Sequence, residues 1–241
     1  MSEVKVNKLS PRSGTTVTLG DSGDTFSIPS GATLSNSGST TFAGNLSVDG
    51  GTIKLDGNYP TGSNNVAMGD NALNSVASDG NSNTVMGNNA GTAITTGDLN
   101  VGIGAGALLD TTTASNNTAV GGIALCANTT GACNVAVGAC ALLNNTTADD
   151  NTAVGMNALC LNTTGCRNTA IGHNSMDVNT TGEFNTALGR SSLSGNTTAD
   201  NNTAVGYHSM LANTTGTENT AVGSGALDSN TTAGCNTSIG H

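Results

Sequence analysis

A seventeen-residue repeat dominates this sequence and limits the folds that the chain can adopt. One copy begins at Asn151 and reads Asn-Thr-Ala-Val-Gly-Met-Asn-Ala-Leu-Cys-Leu-Asn-Thr-Thr-Gly-Cys-Arg. Its glycine recurs at intervals of seventeen from Gly87 to Gly240, and one step of eighteen residues leads back to Gly69. Repeats this short form solenoids, because each copy can bury its apolar face only against the next copy.

Two apolar columns run through the repeats and predict the core. The residue before the glycine is always aliphatic or Met, and the fourth residue after it is Leu or Met except at Gly91. We therefore expect both columns to be buried, and Val154→Asp to disrupt stacking by placing an unpaired charge in a dry core. The predicted columns include Val120, Val137, Val154, Ile171, Leu188, Val205 and Val222, and Leu125, Leu142, Leu159, Met176, Leu193, Met210 and Leu227.

Polar residues also recur at fixed places in the repeat. The residue four before each glycine is Asn, and we expect these side chains to stack as a ladder, since Asn tolerates unusual backbone angles and its amide can bond its own copy one coil away. The ladder includes Asn117, Asn134, Asn151, Asn168, Asn185, Asn202 and Asn219. Nine successive copies carry a Thr-Thr pair, from Thr95-Thr96 to Thr231-Thr232, which suits extended backbone.

These patterns predict an all-β chain, folded as a fibrous β-solenoid, or β-helix, of about ten coils. A helical fold is disfavoured because Gly and Asn-Thr-Thr interrupt every copy and strong helix formers are scarce. At one strand spacing per coil, the rod would be on the order of 45 to 50 Å long. Only 2% of residues are aromatic, which suits a thin core better than an ordinary globular one.

Composition also narrows the range of functions. The net charge is −10 and only six residues are basic, so we expect no nucleic-acid partner. No apolar run reaches the length of a membrane span, and the first residues do not form a signal peptide, so we expect synthesis in the host cytoplasm and no membrane insertion. His173, His208 and His241 are scattered and lack recurring nucleophile or carboxylate partners, which predicts no catalytic site, no metal and no cofactor.

Six cysteines lie in the repeats, at positions 126, 133, 140, 160, 166 and 235. Cys126 and Cys160 share one column, and Cys133 and Cys235 share another, but partners within a column are two and six coils apart and beyond disulfide reach. We interpret the cysteines as soft hydrophobic replacements at small positions that are buried or half-buried. A disulfide between coils or chains, and a calcium site at the acidic positions, stay open as alternatives.

The first sixty or so residues form a different module. They contain all three prolines and most of the basic residues, and their short alternating apolar runs predict short strands. Residues 2–11 and 18–34 resemble the start of tail fibre and related virion proteins of tailed bacteriophages, notably marine ones. The repeat Asn-Thr-Ala-Val-Gly-x-x-Ala-Leu-x-x-Asn-Thr-Thr resembles phage fibre shafts and, more distantly, the head repeats of trimeric autotransporter adhesins.

The resemblance implies a parallel homotrimer in a virion. Residues 1–34 would form an N-terminal β module that docks on the baseplate, tail or another virion protein, 35–64 a short-strand neck, and 65–241 a solenoid shaft that ends within a coil. The function implied is a structural fibre that presents or forms a host-contacting surface for a receptor or glycan. A bacterial cell-surface adhesin or extracellular filament is the alternative, and an ice-binding solenoid with Thr ladders is a weaker one.

Overall fold

A computed structural model describes residues 62–240, in which eleven short parallel strands form one sheet and no helix occurs. Sheet order follows chain order, and each strand pairs in register with the equivalent residues of the next, as in Ala153 with Ala170. The strands are β1 Val66–Met68, β2 Thr84–Met86, β3 Val101–Ile103, β4 Thr118–Val120, β5 Val135–Val137, β6 Thr152–Val154, β7 Thr169–Ile171, β8 Thr186–Leu188, β9 Thr203–Val205, β10 Thr220–Val222 and β11 Thr237–Ile239.

The prediction of an all-β solenoid with seventeen-residue coils is confirmed, with about ten turns. Each turn contributes one strand, and backbone hydrogen bonds join successive turns outside the sheet as well, as from Leu159 N–H to the Ser175 carbonyl at 3.1 Å. The N-terminal module predicted at 1–34 and all but the last three residues of the neck predicted at 35–64 lie outside the described residues.

Two columns of the core lie against each other inside the coil, and a third column of Ala or Ser, such as Ala158, is buried beside them. One is the predicted Leu or Met column, in which Leu125, Leu142, Leu159, Met176, Leu193 and Met210 are fully buried and Leu227 is partly buried. The other is the middle residue of each strand, usually Ala, as at Ala153, which is 0% exposed. Sequence reasoning missed this alanine column, because alanine carries a weak hydrophobic signal.

The column before the glycine is the one placed wrongly by the sequence-based prediction. Side chains alternate across a strand, and because Ala153 points inward, Val154 and its equivalents lie on the outer face of the sheet. Val120, Val137, Val154 and Val205 are half-buried, whereas Ile171, Leu188 and Val222 are exposed. The Val154→Asp substitution would therefore not place a charge inside the coil of a single chain.

Space inside the coil explains why alanine rather than valine points inward. A Cβ built on Gly102, in the alanine column, would lie 3.0 Å from Leu108 Cδ1, so the two columns are already in contact. Where the leucine is replaced by Gly91, the inward residue of β2 is Val85, and a Cβ on Gly91 would lie 3.0 Å from its Cγ1. Large and small residues thus compensate across a narrow interior, as close packing requires.

Two ladders of buried asparagine close the corners of the coil. In the predicted ladder the backbone N–H of each Asn donates to Oδ1 of the Asn one coil earlier, as from Asn168 to Asn151 at 2.9 Å. The side-chain amide of Asn151 donates to the Gly165 carbonyl at 2.9 Å. All seven predicted ladder residues are fully buried: Asn117, Asn134, Asn151, Asn168, Asn185, Asn202 and Asn219.

The second asparagine ladder precedes the Thr-Thr pair and was missed as a ladder in the sequence. Here Nδ2 of one Asn donates to Oδ1 of the Asn one coil earlier, as from Asn162 to Asn145 at 3.0 Å. The same Nδ2 donates to the Gly165 carbonyl at 2.9 Å. Its members are Asn128, Asn145, Asn162, Asn179, Asn196, Asn213 and Asn230.

The two residues of each Thr-Thr pair have different environments. The first is half-buried and its hydroxyl donates to the equivalent carbonyl one coil later, as from Thr163 Oγ1 to the Thr180 carbonyl at 3.0 Å. The second, such as Thr164, is exposed. Adjacent threonines therefore face opposite sides, so that the surface carries a single threonine column rather than a pair of columns.

Candidate functional site

The outer face of the sheet carries more than half of the exposed large hydrophobic side chains among the described residues. We call it the outer sheet face, and it consists of the first and third residues of β1 to β11. Seven of its third-position residues are exposed large hydrophobics, namely Met68, Met86, Ile103, Ile171, Leu188, Val222 and Ile239. The first positions are Thr or Val throughout. At about 4.8 Å per strand, this flat face is about 48 Å long.

One edge of the outer sheet face carries basic and aromatic side chains on three successive coils. We call His173, Arg190, Tyr207 and His208 the basic corner, since each follows the end of a strand by two or three residues. Arg190 Nη1 donates to the Tyr207 hydroxyl at 3.5 Å, and its guanidinium lies 5.7 Å from the ring centroid. The Tyr207 and His208 rings stack at 3.8 Å. Elsewhere this edge is mostly small or uncharged.

The opposite edge is acidic over the same part of the rod. We call Glu183, Asp200 and Glu218 the acidic corner, which precedes the strands by two or three residues. Asp200 Oδ1 accepts a hydrogen bond from the Glu183 backbone N–H at 2.7 Å. Glu218 is exposed and accepts from the Cys235 thiol at 3.3 Å. The two corners therefore flank one apolar face with opposite charge.

A second cation lies on the acidic edge, on the coil before the acidic corner. Arg167 Nε is 3.9 Å from Asp150 Oδ2, and its guanidinium lies 5.3 Å from the Phe184 ring centroid. Both members of this ion pair are more than half exposed. An exposed pair of this kind contributes little to stability, so we assign it no part in the site.

The six cysteines are all free thiols. Cys126, Cys140, Cys160 and Cys166 are half-buried, within the buried or half-buried range expected, whereas Cys133 and Cys235 are exposed and depart from it. Burial raises the pKa of the Cys126 and Cys160 thiols. Asp110 raises the pKa of Cys126 further, and Cys140 and Asp177 raise that of Cys160 further. A hydrogen bond to the Glu218 carboxylate raises the pKa of Cys235.

The cysteine environments predict a pattern of alkylation. At pH 7.5 iodoacetamide should modify exposed Cys133 faster than Cys126 or Cys160, because a raised pKa leaves less thiolate and burial limits access. Raising the pH toward 9.5 should speed the modification of Cys126 and Cys160, since their thiolates form only as the pH approaches the raised pKa. Mass spectrometry of each site over time measures both effects, and equal rates at pH 7.5 would contradict the burial of these thiols.

The described residues hold no group of three or more His, Cys, Asp or Glu side chains placed to bind a metal ion. Within the same range, no helix has the length and apolar character needed to cross a bilayer. The chain matches no protein-family model, no curated protein and no solved structure. The function therefore has to be argued from the solenoid and its outer sheet face.

Proposed function

We propose that this chain is a non-enzymatic structural fibre protein of a phage virion, and that its solenoid forms a rigid shaft as a parallel homotrimer. The fibrous β-solenoid fold is consistent with this role, since stacked coils make a long, stiff element. The N-terminal module would dock on a virion protein, as its resemblance to phage fibre proteins implies. The shaft would then present or form a surface that contacts the host.

The observation that carries the proposed assembly is the exposed aliphatic column. Monomeric soluble proteins rarely expose long contiguous apolar patches, and patches of that kind usually mark interfaces. The column of Met, Ile, Leu and Val runs along the whole sheet, from Met68 at 50% exposed to Ile239 at 78% exposed. Three parallel rods that turned these faces toward a common axis would remove the column from water.

The Val154→Asp substitution tests the assembly. Val154 is half-buried on the outer sheet face, so the single chain should still fold, but three carboxylates would meet in one layer of a trimer. We expect the trimer dissociation constant to rise at least tenfold, measured by sedimentation equilibrium. Circular dichroism should still report β structure.

Thr164→Asp is the matched control for this substitution. Thr164 is exposed and lies in the threonine column, away from the outer sheet face, so its carboxylate should leave assembly unchanged. If Val154→Asp and Thr164→Asp had the same oligomeric state as the parent, the outer sheet face would not be the interface. A parent chain that sedimented as a monomer at all concentrations would contradict the homotrimer itself.

Immunogold labelling distinguishes a phage fibre from a cell-surface adhesin, because both would have the same solenoid shaft but would be found on different particles. An antibody against the solenoid should label purified virions at a fixed appendage. Labelling confined to the bacterial surface would instead assign the chain to a cell-surface adhesin or filament.

A further inference from the structure

We propose that the basic corner of one chain meets the acidic corner of a neighbouring copy, and that this contact fixes the parallel register of the shaft. The inference rests on the proposed self-assembly and adds to it the residues that align the chains. It concerns His173, Arg190 and His208 on one edge and Glu183, Asp200 and Glu218 on the other. The partner is a second copy of this chain.

The first support is the spacing of the charges. In each of three successive coils an acid follows a base by ten residues: His173 and Glu183, Arg190 and Asp200, His208 and Glu218. A coil of seventeen residues rises by about one strand spacing, so ten residues correspond to a rise of about 3 Å. Neighbouring rods at equal height would thus bring each base within side-chain reach of the matching acid.

The second support is the symmetry of the arrangement. In a cyclic assembly of parallel rods whose outer sheet faces turn inward, each neighbour contact joins two different edges. One edge carries Arg190 and two histidines, and the other carries three carboxylates, over the same three coils. A parallel neighbour shifted by three coils would pair Arg190 with Asp149 but would set His173 opposite Ala132 and His208 opposite Arg167, so only the register at equal height matches all three positions. Complementary charge therefore favours one register, as at other protein interfaces.

The third support is the area that a stable interface needs. The outer sheet face alone is three residues wide, about 10 Å, and about 48 Å long, which amounts to about 500 Å² per chain. Stable interfaces bury about 800 Å² per partner. Including both corners widens the face to at most about 20 Å, or about 1,000 Å². An assembly on this face would therefore have to bury the two corners as well to reach the area of a stable interface.

Side-chain contacts within the chain leave the charged groups available. Arg190 is exposed, and beyond its contact with Tyr207 the guanidinium keeps further N–H donors. Asp200 uses Oδ1 to accept from the Glu183 backbone, which leaves Oδ2 for another donor. Arg190 also stands over the Tyr207 ring, which holds its position at the corner.

Charge reversal tests the pairing. Arg190→Glu and Asp200→Arg should each raise the trimer dissociation constant about tenfold, because like charges would then meet at three equivalent contacts. The double variant should return to within about threefold of the parent, measured by sedimentation equilibrium at low salt. Circular dichroism checks that each variant retains its β structure.

The register control is Arg190→Glu combined with Asp149→Arg. Asp149 occupies the same place in the repeat as Asp200 but lies three coils away, and the combined variant has the same net charge as the rescued one. It should not restore assembly. Rescue by Asp149→Arg equal to that by Asp200→Arg, or an Arg190→Glu trimer as tight as the parent, would overturn the proposed pairing while leaving the trimer intact. A monomeric parent chain would instead overturn both proposals.

Discussion

Gly155→Ala should destabilise the solenoid by about 4 kcal/mol or more. Gly155 has φ of +134°, which L residues with a side chain rarely adopt. A Cβ at this position would lie 2.5 Å from the Gly172 carbonyl oxygen and 2.6 Å from its carbon. Both are backbone atoms of the next coil, so only a separation of the coils relieves the clash.

The measurement is the urea midpoint of the full chain, followed by circular dichroism, with hydrogen exchange to locate the weakened coils. Because a solenoid is stabilised mainly by contacts between neighbouring coils, loss of protection should centre on the coils of Gly155 and Gly172. An unchanged midpoint would mean that the coils are not stacked as closely as described.

Gly122→Ala provides the matched control. A Cβ on Gly122 would meet nothing within 4 Å, and its φ lies outside the positive range that favours glycine. We therefore expect a change smaller than about 1 kcal/mol, with slight stabilisation as the favoured sign because alanine restricts the unfolded chain. The difference in unfolding free energy between the two variants separates the effect of close contact between coils from the general effect of adding a methyl group.

The repeat could be predicted from the sequence because the same residue types recur every seventeen residues at fixed positions. Seventeen-residue coils, the buried Leu159 column and the buried position of Asn151 all follow from residues that recur at one place in the coil. Identical residues at one place must stack, whatever the detailed path of the chain. This part of the fold needs only the assumption that each copy packs on the next.

The orientation of the strands could not be predicted in the same way. Thr152, Ala153 and Val154 alternate in size and polarity, and hydrophobicity alone favours Val154 as the inward residue. The structure turns Ala153 inward because Leu159 already fills the interior from the other side. The space inside the coil, rather than hydrophobicity, therefore decides which strand residue points inward. That space depends on how closely the two walls of the coil approach each other.

The backbone conformation at the corners of the coil also could not be predicted from the sequence. Asn157, Leu159 and Arg167 have φ values of 58°, 51° and 58°, and Leu and Arg are unusual in this left-handed region. Only the repeated backbone, held by hydrogen bonds to the coils above and below, forces these residues into it. The outer sheet face and its two charged corners depend on these turns, so the candidate interface could not be located from spacing alone.

Asn151→Ala should cost about 1 to 3 kcal/mol, because it leaves the buried Asn168 backbone N–H without a partner. The Asn168 N–H loses its Oδ1 acceptor, which lies at 2.9 Å in a site that is 0% exposed, whereas the Gly165 carbonyl loses the Asn151 Nδ2 donor but keeps the one from Asn162. Half-buried Asn144, whose side chain donates one bond to the Cys160 carbonyl at 3.1 Å, is the control, and its change to Ala should cost less than about 1 kcal/mol. Urea unfolding of both variants measures the difference. Equal costs would mean that water or a shift of the backbone satisfies the groups around position 151, and the asparagine ladder would then be a consequence of stacking rather than a cause of it.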